Sequence, residues 1–495
     1  MPGPLNVKSI KFKILNKEVC ATPCPPGGLR FFMNDNESMK KYVLLAATLA
    51  SFLTPFMGSA VNLAVPAIGR EFHLEALMLN WIVTSYLLAS SVFLLPFGRA
   101  ADLYGRKKVF LAGIITYTLL SLLSGLATSG EMLILFRILH GIGGAMIFGT
   151  GVAILTGVFP PQERGKVLGI NVAAVYTGLS LGPVVGGFLT HQLGWRYIFL
   201  LNFLLGLIVV LVTVFKLKGE WRDGRGEKYD PAGAVLYSLG MTALMYGIAA
   251  VNSAPHAPWV LLLGVVLLAS FIRQELRYRY PLLNLNLFRN LVFAFSNLAA
   301  LIHYSATFAV GFLLSLYLQV VRGLDAQTAG FILLAQPILM ALLSPLAGRL
   351  SDRVEPRLLA SLGMALSFAG LFLFSLINKT TPLWTIMGYL VLLGIGFALF
   401  SSPNTNAVMS AVEKRYYGVA SATLGTMRLV GQALSMALVT FFFGLYLKGT
   451  AITPAASPLL LKSMHISFLL FAVLCAGGVF FSLARGEVRE KEGRL

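Results

Sequence analysis

The stretch LLPFGRAADLYGRKKVFL, residues 94–111, places a cluster of charged and turn-forming residues between two apolar runs. A weaker copy, LLSPLAGRLSDRVEPRLL, occupies residues 342–359. The copies align Gly98, Arg99 and Asp102 with Gly348, Arg349 and Asp352 at an offset of 250 residues. A charged segment that returns at this distance indicates an internal duplication.

Two further landmarks support the duplication. The tripeptide GIG at 141–143 returns at 394–396, and Gly165 of RGKVLG aligns with Gly418 of YGVASA, both at an offset of 253 residues. The repeat therefore extends over most of each half of the chain. Parallel repeats of six helices around a central cavity are a design of membrane transporters.

Composition assigns the chain to the membrane. Of its 495 residues, 57% are hydrophobic and only 12% are charged, whereas a soluble domain carries about 25% charged residues. The apolar runs are continuous over roughly 20 residues, which favours helices and excludes a barrel of alternating strands. We therefore expect an all-α polytopic membrane protein. The net charge of +19 resides in short loops, so nucleic acid is not an expected partner.

We predict fourteen membrane helices, six on each side of a central pair. Their expected ranges are 42–68, 78–97, 108–128, 132–158, 165–190, 195–217, 231–252, 257–276, 290–320, 325–346, 357–377, 382–411, 417–446 and 464–484. The predicted domains are a disordered tail (1–41), a six-helix bundle (42–217), linkers with two extra helices (218–289), a second six-helix bundle (290–484) and a tail (485–495).

Basic residues predict the orientation. Of the 39 Lys and Arg, 31 fall on the side of the termini, six fall on the opposite side, and Arg137 and Arg428 fall within spans. Because loops rich in Lys and Arg remain in the cytoplasm, both termini are expected there, in a cell membrane with anionic lipids. We assign all 20 acidic residues to loops or tails.

The chain resembles the major facilitator superfamily, and its two extra helices resemble those of the fourteen-helix drug:proton antiporter branch. The superfamily's loop signature is matched by Gly98, Asp102, Gly105, Arg106 and Lys107, and its fourth-span signature by Arg137 and Gly141. The antiporter signature of the fifth span is matched by Gly178, Gly182, Pro183, Gly186 and Gly187. LNWIVTSYLLA (79–89) and YDPAGAVLYSLG (229–240) resemble the second and seventh spans of that branch.

One position departs from the branch. The first span usually carries an acid, but here FMGSAVNLAVP (56–66) places Met57 at that position. The usual proton carrier is therefore absent.

The loop 94–111 has an expected gating role. Gly98 and Gly105 permit a tight turn, and the basic residues Arg99, Arg106 and Lys107 hold the loop at the cytoplasmic surface. Asp102 is expected to accept hydrogen bonds from a neighbouring Arg or a helix N-terminus, and the resemblance implies a latch between the bundles. A solvated turn is the alternative. Asp352 is the corresponding acid of the second copy.

The glycines of the fifth span form a bare stripe along one helix face. Gly178, Gly182 and Gly186 recur at every fourth residue, and Pro183 bends the helix. Ordinary close packing explains such a stripe. The resemblance implies in addition a seal between the bundles that suits antiport.

Titratable groups within the spans are few. Arg137 is expected to face the cavity, because an unpaired Arg in hydrocarbon costs about 3 kcal/mol. His140 lies on the same face at i+3, and His303 lies in the ninth span. Either histidine could bind the coupling proton, although packed or hydrogen-bonded histidines remain an alternative. Polar candidates for the cavity wall are Asn62, Tyr86, Tyr304, Gln336 and Asn404.

These features predict proton-coupled efflux of small amphipathic or lipophilic compounds by a monomer without cofactor or metal. The lack of an acid within the spans predicts a preference for neutral, zwitterionic or anionic compounds, with Arg137 as their contact. An importer or facilitator of a metabolite is the alternative within transport. A membrane enzyme is disfavoured, since the sequence contains neither metal-spaced His and Glu nor a phosphate-binding loop.

Overall fold

The computed structural model describes residues 28–222, 227–252, 254–351, 353–413, 417–447, 450 and 452–486. These residues form sixteen α-helices, which compose fourteen segments long and apolar enough to span a membrane. The helices are α1 Gly28–Phe72, α2 Ala76–Tyr104, α3 Arg106–Gly125, α4 Gly130–Val158, α5 Pro161–Gln192, α6 Arg196–Lys216, α7 Pro231–Ala250, α8 Ala257–Arg277, α9 Leu291–Thr307, α10 Val310–Leu316, α11 Ala326–Leu333, α12 Ala335–Ser351, α13 Pro356–Phe374, α14 Leu383–Ser410, α15 Tyr417–Tyr446 and α16 Ser457–Ala484.

Helices α1–α6 form the first bundle and α9–α16 the second, as the repeat predicts. The pair α7 and α8 packs together and contacts both α2 and α15. The Tyr237 hydroxyl donates to the Ser91 carbonyl at 2.9 Å, and the Asn252 amide donates to the Phe441 carbonyl at 3.3 Å. The extra pair is thus attached to both bundles.

Several helix boundaries differ from the predicted ones. The first helix is described from Gly28 onward, so segment 28–41 is helical rather than disordered. The last membrane helix begins at Ser457 instead of residue 464. The rest of the predicted N-terminal tail, 1–27, lies outside the described residues.

Two predicted spans are interrupted helices. The ninth is divided at Phe308–Ala309 between α9 and α10, and the free Ala309 N–H donates to the Ser435 hydroxyl at 3.1 Å. A π-helical turn, Tyr317–Val321, follows α10. The tenth span is divided at Leu334, between α11 and α12. Interrupted helices near the middle of a membrane are tolerated where neighbouring groups satisfy the freed backbone.

The face of the helical array where α1 begins and α16 ends is called the terminal face, and the opposite face the distal face. In the distal half, the Ser315 hydroxyl donates to the Asn62 carbonyl at 2.6 Å, and the Gln319 amide donates to the Leu63 carbonyl at 3.2 Å. Asn80 of α2 donates to the carbonyl of Met436 on α15 at 3.2 Å. These contacts join the two bundles on the distal side, and together they are called the distal junction.

Candidate functional site

The loop between α2 and α3 turns at a single residue. Gly105 has φ +125°, a conformation that disfavours other residues, and α2 continues to Tyr104. The prediction that Gly98 also forms the turn was wrong, because Gly98 lies inside α2. There it packs against Gly149 of α4, whose added β-carbon would lie 3.3 Å from the Gly98 Cα, whereas a β-carbon on Gly98 would have no atom of the described residues within 4 Å.

Polar contacts bind this loop to the linker after α6. Arg106 donates to the Asp102 carboxylate from Nε at 2.9 Å and from Nη2 at 2.7 Å, which fulfils the expected pairing of Asp102 with a neighbouring Arg. Arg99 pairs with Glu227 at 2.6 Å, and the Lys107 backbone N–H donates to Glu220 at 2.7 Å. Asp352, the acid of the second copy, lies outside the described residues.

The glycine stripe of α5 faces two different partners. A β-carbon on Gly178 would lie 2.5 Å from the Phe52 carbonyl oxygen, and one on Gly186 would lie 2.7 Å from Ala60. Gly182 likewise packs on Ser59 of α1. This face therefore closes the first bundle internally, through close helix packing.

The end of the stripe meets the second bundle. A β-carbon on Gly187 would collide with the Ala326 carbonyl of α11, and one on Gly330 would collide with the Pro183 carbonyl. Contact at this point needs glycine on both helices. Gly187 and Pro183 thus belong to the distal junction between the bundles.

Arg137 is enclosed inside the first bundle. Its side chain is 1% exposed, its Nε donates to the Ile82 carbonyl at 3.1 Å, and its guanidinium lies 4.4 Å from the centre of the Tyr86 ring. Its Nη1 is 3.1 Å from His140 Nδ1. The His140 ring packs against Tyr117 at a centroid distance of 4.0 Å. The expectation that Arg137 faces an open cavity was wrong in this conformation.

Small residues on α4 explain this enclosure. A β-carbon on Gly141 would collide with the Tyr86 carbonyl oxygen, and one on Gly144 would lie 2.7 Å from the Tyr86 hydroxyl. On another face of α4, a β-carbon on Gly143 would lie 2.7 Å from the Tyr117 nitrogen. Both aromatic side chains can therefore close over Arg137 and His140.

His303 occupies an aromatic pocket of the second bundle. The ring is buried and stacks on Phe400 at a centroid distance of 4.1 Å, with Phe397 at 5.2 Å. Neither ring nitrogen has a hydrogen-bond partner among the described residues. His303 is therefore positioned by aromatic packing.

The five predicted cavity residues lie in different parts of the two bundles. Asn62 lies in the distal junction, and Tyr86 covers Arg137. Asn404 is an interhelical bridge, because its amide donates to the Ser296 carbonyl at 3.0 Å and its oxygen accepts from Arg485 at 2.9 Å. Gln336 is half-buried beside the break before α12, and Tyr304 lies where the bundles meet.

A polar cluster at that meeting place contains residues that the sequence reasoning missed. The Tyr176 hydroxyl of α5 donates to the Ser401 hydroxyl of α14 at 3.4 Å, and the Tyr304 hydroxyl lies 3.5 Å from the same oxygen. The Arg428 guanidinium lies 5.6 Å from the centre of the Tyr304 ring and donates to the Thr405 hydroxyl at 2.8 Å. We call Tyr176, Tyr304, Ser401, Thr405 and Arg428 the seam cluster.

A third arginine is buried at the terminal face. Arg485, predicted to lie in a solvated tail, is 1% exposed and contacts Ser296 and Asn404. Burial lowers its pKa to about 10, with Glu355 acting in the opposite direction. The guanidinium therefore remains charged at neutral pH.

The assignment of every acid to loops or tails was wrong for Glu275. This residue lies in the last turns of α8 and is 3% exposed, and its Oε2 accepts from the Leu283 N–H at 2.8 Å. Its Oε1 lies near the buried Asp230 carboxylate, since both would be within 3 Å of a β-carbon on Gly233. The pair lies where α7 begins and α8 ends, so it belongs to the two extra helices and not to the seam cluster. Among the described residues, no group of three His, Cys, Asp or Glu could hold a metal ion.

Comparisons with known proteins agree with this architecture. A family model described as Major Facilitator Superfamily matches residues 47–436. The riboflavin transporter RibZ of Clostridioides difficile is 29% identical over 82% of this chain and 88% of its own length. The multidrug resistance protein Stp of Mycobacterium tuberculosis is 30% identical over 82% of this chain and 76% of its own length.

A solved structure shows the same fold. The bacterial homologue of the human lysosomal transporter Spinster superposes with a TM-score of 0.65 at 17% identity, covering 90% of this chain and 97% of that one. The family match covers well over half of the sequence, and the fourteen apolar helices supply the expected membrane segments. The chain belongs to the Major Facilitator Superfamily and is a multi-pass membrane transporter.

Proposed function

We propose that the protein exports small amphipathic or lipophilic compounds across the cell membrane in exchange for protons, by alternating access. The observation that carries the proposal is the seam cluster, which combines Tyr176 of the first bundle with Tyr304, Ser401 and Arg428 of the second. A site built from both bundles is exposed to one side or the other when the bundles rock against each other. The distal junction closes the site toward the distal face.

The proposed orientation places the terminal face in the cytoplasm. The excess of basic residues on that side supports this placement, and anionic lipids of that leaflet are the proposed partners of Arg99, Arg106 and Lys107. The cluster would then be approached from the cytoplasm or the inner leaflet, as export requires.

Proton coupling is assigned to the histidines within the bundles. Among the described residues, neither ring nitrogen of His303 has a hydrogen-bond partner, and the ring lies beside the seam residue Tyr304. His140 contacts Arg137. Protonation of His140 would place a second positive charge beside Arg137. Protonation of His303 would place a positive charge in an apolar pocket. Such a change is unfavourable in the present packing and would bias the bundles toward another arrangement.

Import or facilitated diffusion of a metabolite is the second candidate. The similarity to a riboflavin transporter supports it. The similarity to a multidrug resistance protein supports export instead.

Cell assays distinguish these candidates. Cells that express the protein should accumulate less of a neutral lipophilic fluorescent dye than cells with the empty vector, and a protonophore should restore accumulation. Lys462→Gln, a loss of one charge at the exposed distal surface, is the matched control and should behave as the wild type. Higher accumulation in expressing cells would indicate import, and protonophore-insensitive export would refute proton coupling.

Orientation is tested by labelling. In a background with Cys20, Cys24 and Cys475 replaced by Ser, a cysteine at Lys379 should react with an impermeant maleimide on intact cells. A cysteine at Arg222 should react only after permeabilisation. The reverse pattern would place the terminal face outside.

A further inference from the structure

We propose that the seam cluster is a binding site for planar aromatic anions and that Arg428, rather than Arg137, pairs with their negative charge. This inference rests on the proposed function. The site lies between the bundles and not inside one of them. Tyr176 belongs to α5 of the first bundle, and its hydroxyl reaches Ser401 of the second at 3.4 Å.

Arg428 lies deep in the membrane region. It is on α15, about 16 Å along the helix from the first residue, Tyr417, at about 1.5 Å per residue. Its side chain is partly exposed, whereas Arg137 is enclosed. Of these two arginines, Arg428 is therefore the one that a molecule between the bundles can reach.

Among the residues that the structure describes, no counter-charge faces the Arg428 guanidinium. Among the described residues, the ion pairs of the first bundle and its linker involve other cations, and no carboxylate pairs with Arg428. Its Nη2 contacts the neutral Thr405 hydroxyl, and its Nε is buried without an acceptor. A guanidinium with unused donors in a low-dielectric region attracts a carboxylate, sulfonate or phosphate strongly.

Aromatic groups determine the shape of the preferred ligand. The guanidinium lies over the Tyr304 ring at 5.6 Å, and Tyr304 packs on Phe397 at a centroid distance of 5.5 Å. Tyr176 packs against the same apolar cluster from the first bundle. A flat ligand can contact these rings while its anionic group meets Arg428 and its hydrogen-bonding groups meet Ser401. A ligand cation would instead face an unpaired positive charge.

Binding of two dyes with the same ring system tests the proposal. Purified full-length protein in detergent should bind fluorescein, an anion near neutral pH, more tightly than a rhodamine ester, a cation on the same xanthene skeleton. Fluorescence anisotropy gives both dissociation constants in the absence of any gradient. Arg428→Gln should weaken fluorescein binding about tenfold or more and leave rhodamine binding unchanged or stronger.

Matched variants separate this effect from misfolding. Arg428→Lys should retain part of the affinity for fluorescein, because the charge remains while the planar fork is lost. Lys462→Gln removes the same charge at the distal surface and should leave both dissociation constants unchanged. Thermal unfolding of each variant confirms that a folded protein is compared.

Three results would overturn the inference: wild-type protein that does not bind fluorescein, a preference for the rhodamine ester, or fluorescein binding that is unaffected in folded Arg428→Gln. Each is independent of the proposed export activity, which is measured separately with a neutral dye in cells. A protein that exports the neutral dye but fails the anion test would retain its proposed function without this site.

Discussion

Arg137 and Arg428 both lie inside membrane helices but have different surroundings. Arg137 is enclosed by Tyr86 and His140 and donates to a backbone carbonyl of α2. Arg428 lies over Tyr304 at the boundary between the bundles and is partly exposed. Neither forms an ion pair with a described carboxylate. The difference shows that a position inside a membrane helix does not by itself determine the role of a charge.

The packing around each arginine determines its role instead. The first arginine joins α4 to α2, so its loss should affect the integrity of the first bundle. The second leaves donors unused beside an open boundary, so its loss should affect ligand binding. Four predictions, which use six substitutions, follow from this contrast and are given from the largest expected effect to the smallest.

The gating loop of the first bundle should show the largest effect. Asp102→Asn removes the charge that accepts two hydrogen bonds from Arg106, so export should fall at least about tenfold with unchanged expression. Dye export per unit of membrane-inserted protein is the measurement. Normal export would leave the solvated-turn interpretation for Asp102.

Glycine substitutions compare the packing of the two sites. Gly141→Ala would place a β-carbon against the Tyr86 carbonyl oxygen, so it should lower the free energy of unfolding by about 1–3 kcal/mol. Gly425, one turn before Arg428, has no atom within 4 Å of its would-be β-carbon, so Gly425→Ala should be neutral. Both are measured by unfolding in detergent. Equal losses of stability would contradict the description of Arg137 as enclosed and of Arg428 as open to the boundary between the bundles.

The arginines themselves should differ in stability. Arg137→Gln loses the charged donor to Ile82 and should destabilise the protein by about 1–3 kcal/mol. Arg428→Gln should change stability by less than about 0.5 kcal/mol, as is usual for a partly exposed side chain. Chemical unfolding gives the free energy of unfolding of each variant. A larger loss in Arg428→Gln than in Arg137→Gln would contradict a packing role for Arg137 and a binding role for Arg428.

His303 should show the smallest effect on stability. In the described part of the chain neither ring nitrogen has a hydrogen-bond partner, and the ring stacks on Phe400. His303→Phe should therefore keep or slightly raise the free energy of unfolding. If His303 binds the coupling proton, the same variant should lose the pH dependence of export. A large loss of stability would reveal a hydrogen-bonding role for the imidazole.

Much of the fold follows from the sequence. Continuous apolar runs, the asymmetry of basic loops and the repeated charged segment near Asp102 together specify fourteen helices and two bundles, because local hydrophobicity controls membrane insertion. The end of α2 was misplaced because a helix can continue past the apolar run, which put Gly98 inside it. The local pattern of apolar residues therefore does not mark the end of α2.

The candidate site was less predictable. Tyr176 and Ser401 are 225 residues apart, and their contact depends on how two bundles pack. The enclosure of Arg137 depends equally on the approach of α4 to α2 at Gly141. Tyr304 was selected because of its type and position, whereas the partial exposure of Arg428 is a property of tertiary packing alone.

Transport into proteoliposomes tests the central claim most directly. Liposomes with an acidic lumen should accumulate fluorescein above its external concentration through the protein, since protons leaving the lumen drive the dye inward. Passive distribution of a weak acid would exclude the dye from that lumen, so accumulation cannot result from trapping. We expect accumulation that a protonophore abolishes and that Arg428→Gln lacks. Equilibration at the same rate with or without the gradient, never above the external concentration, would contradict proton-driven export and indicate a facilitator.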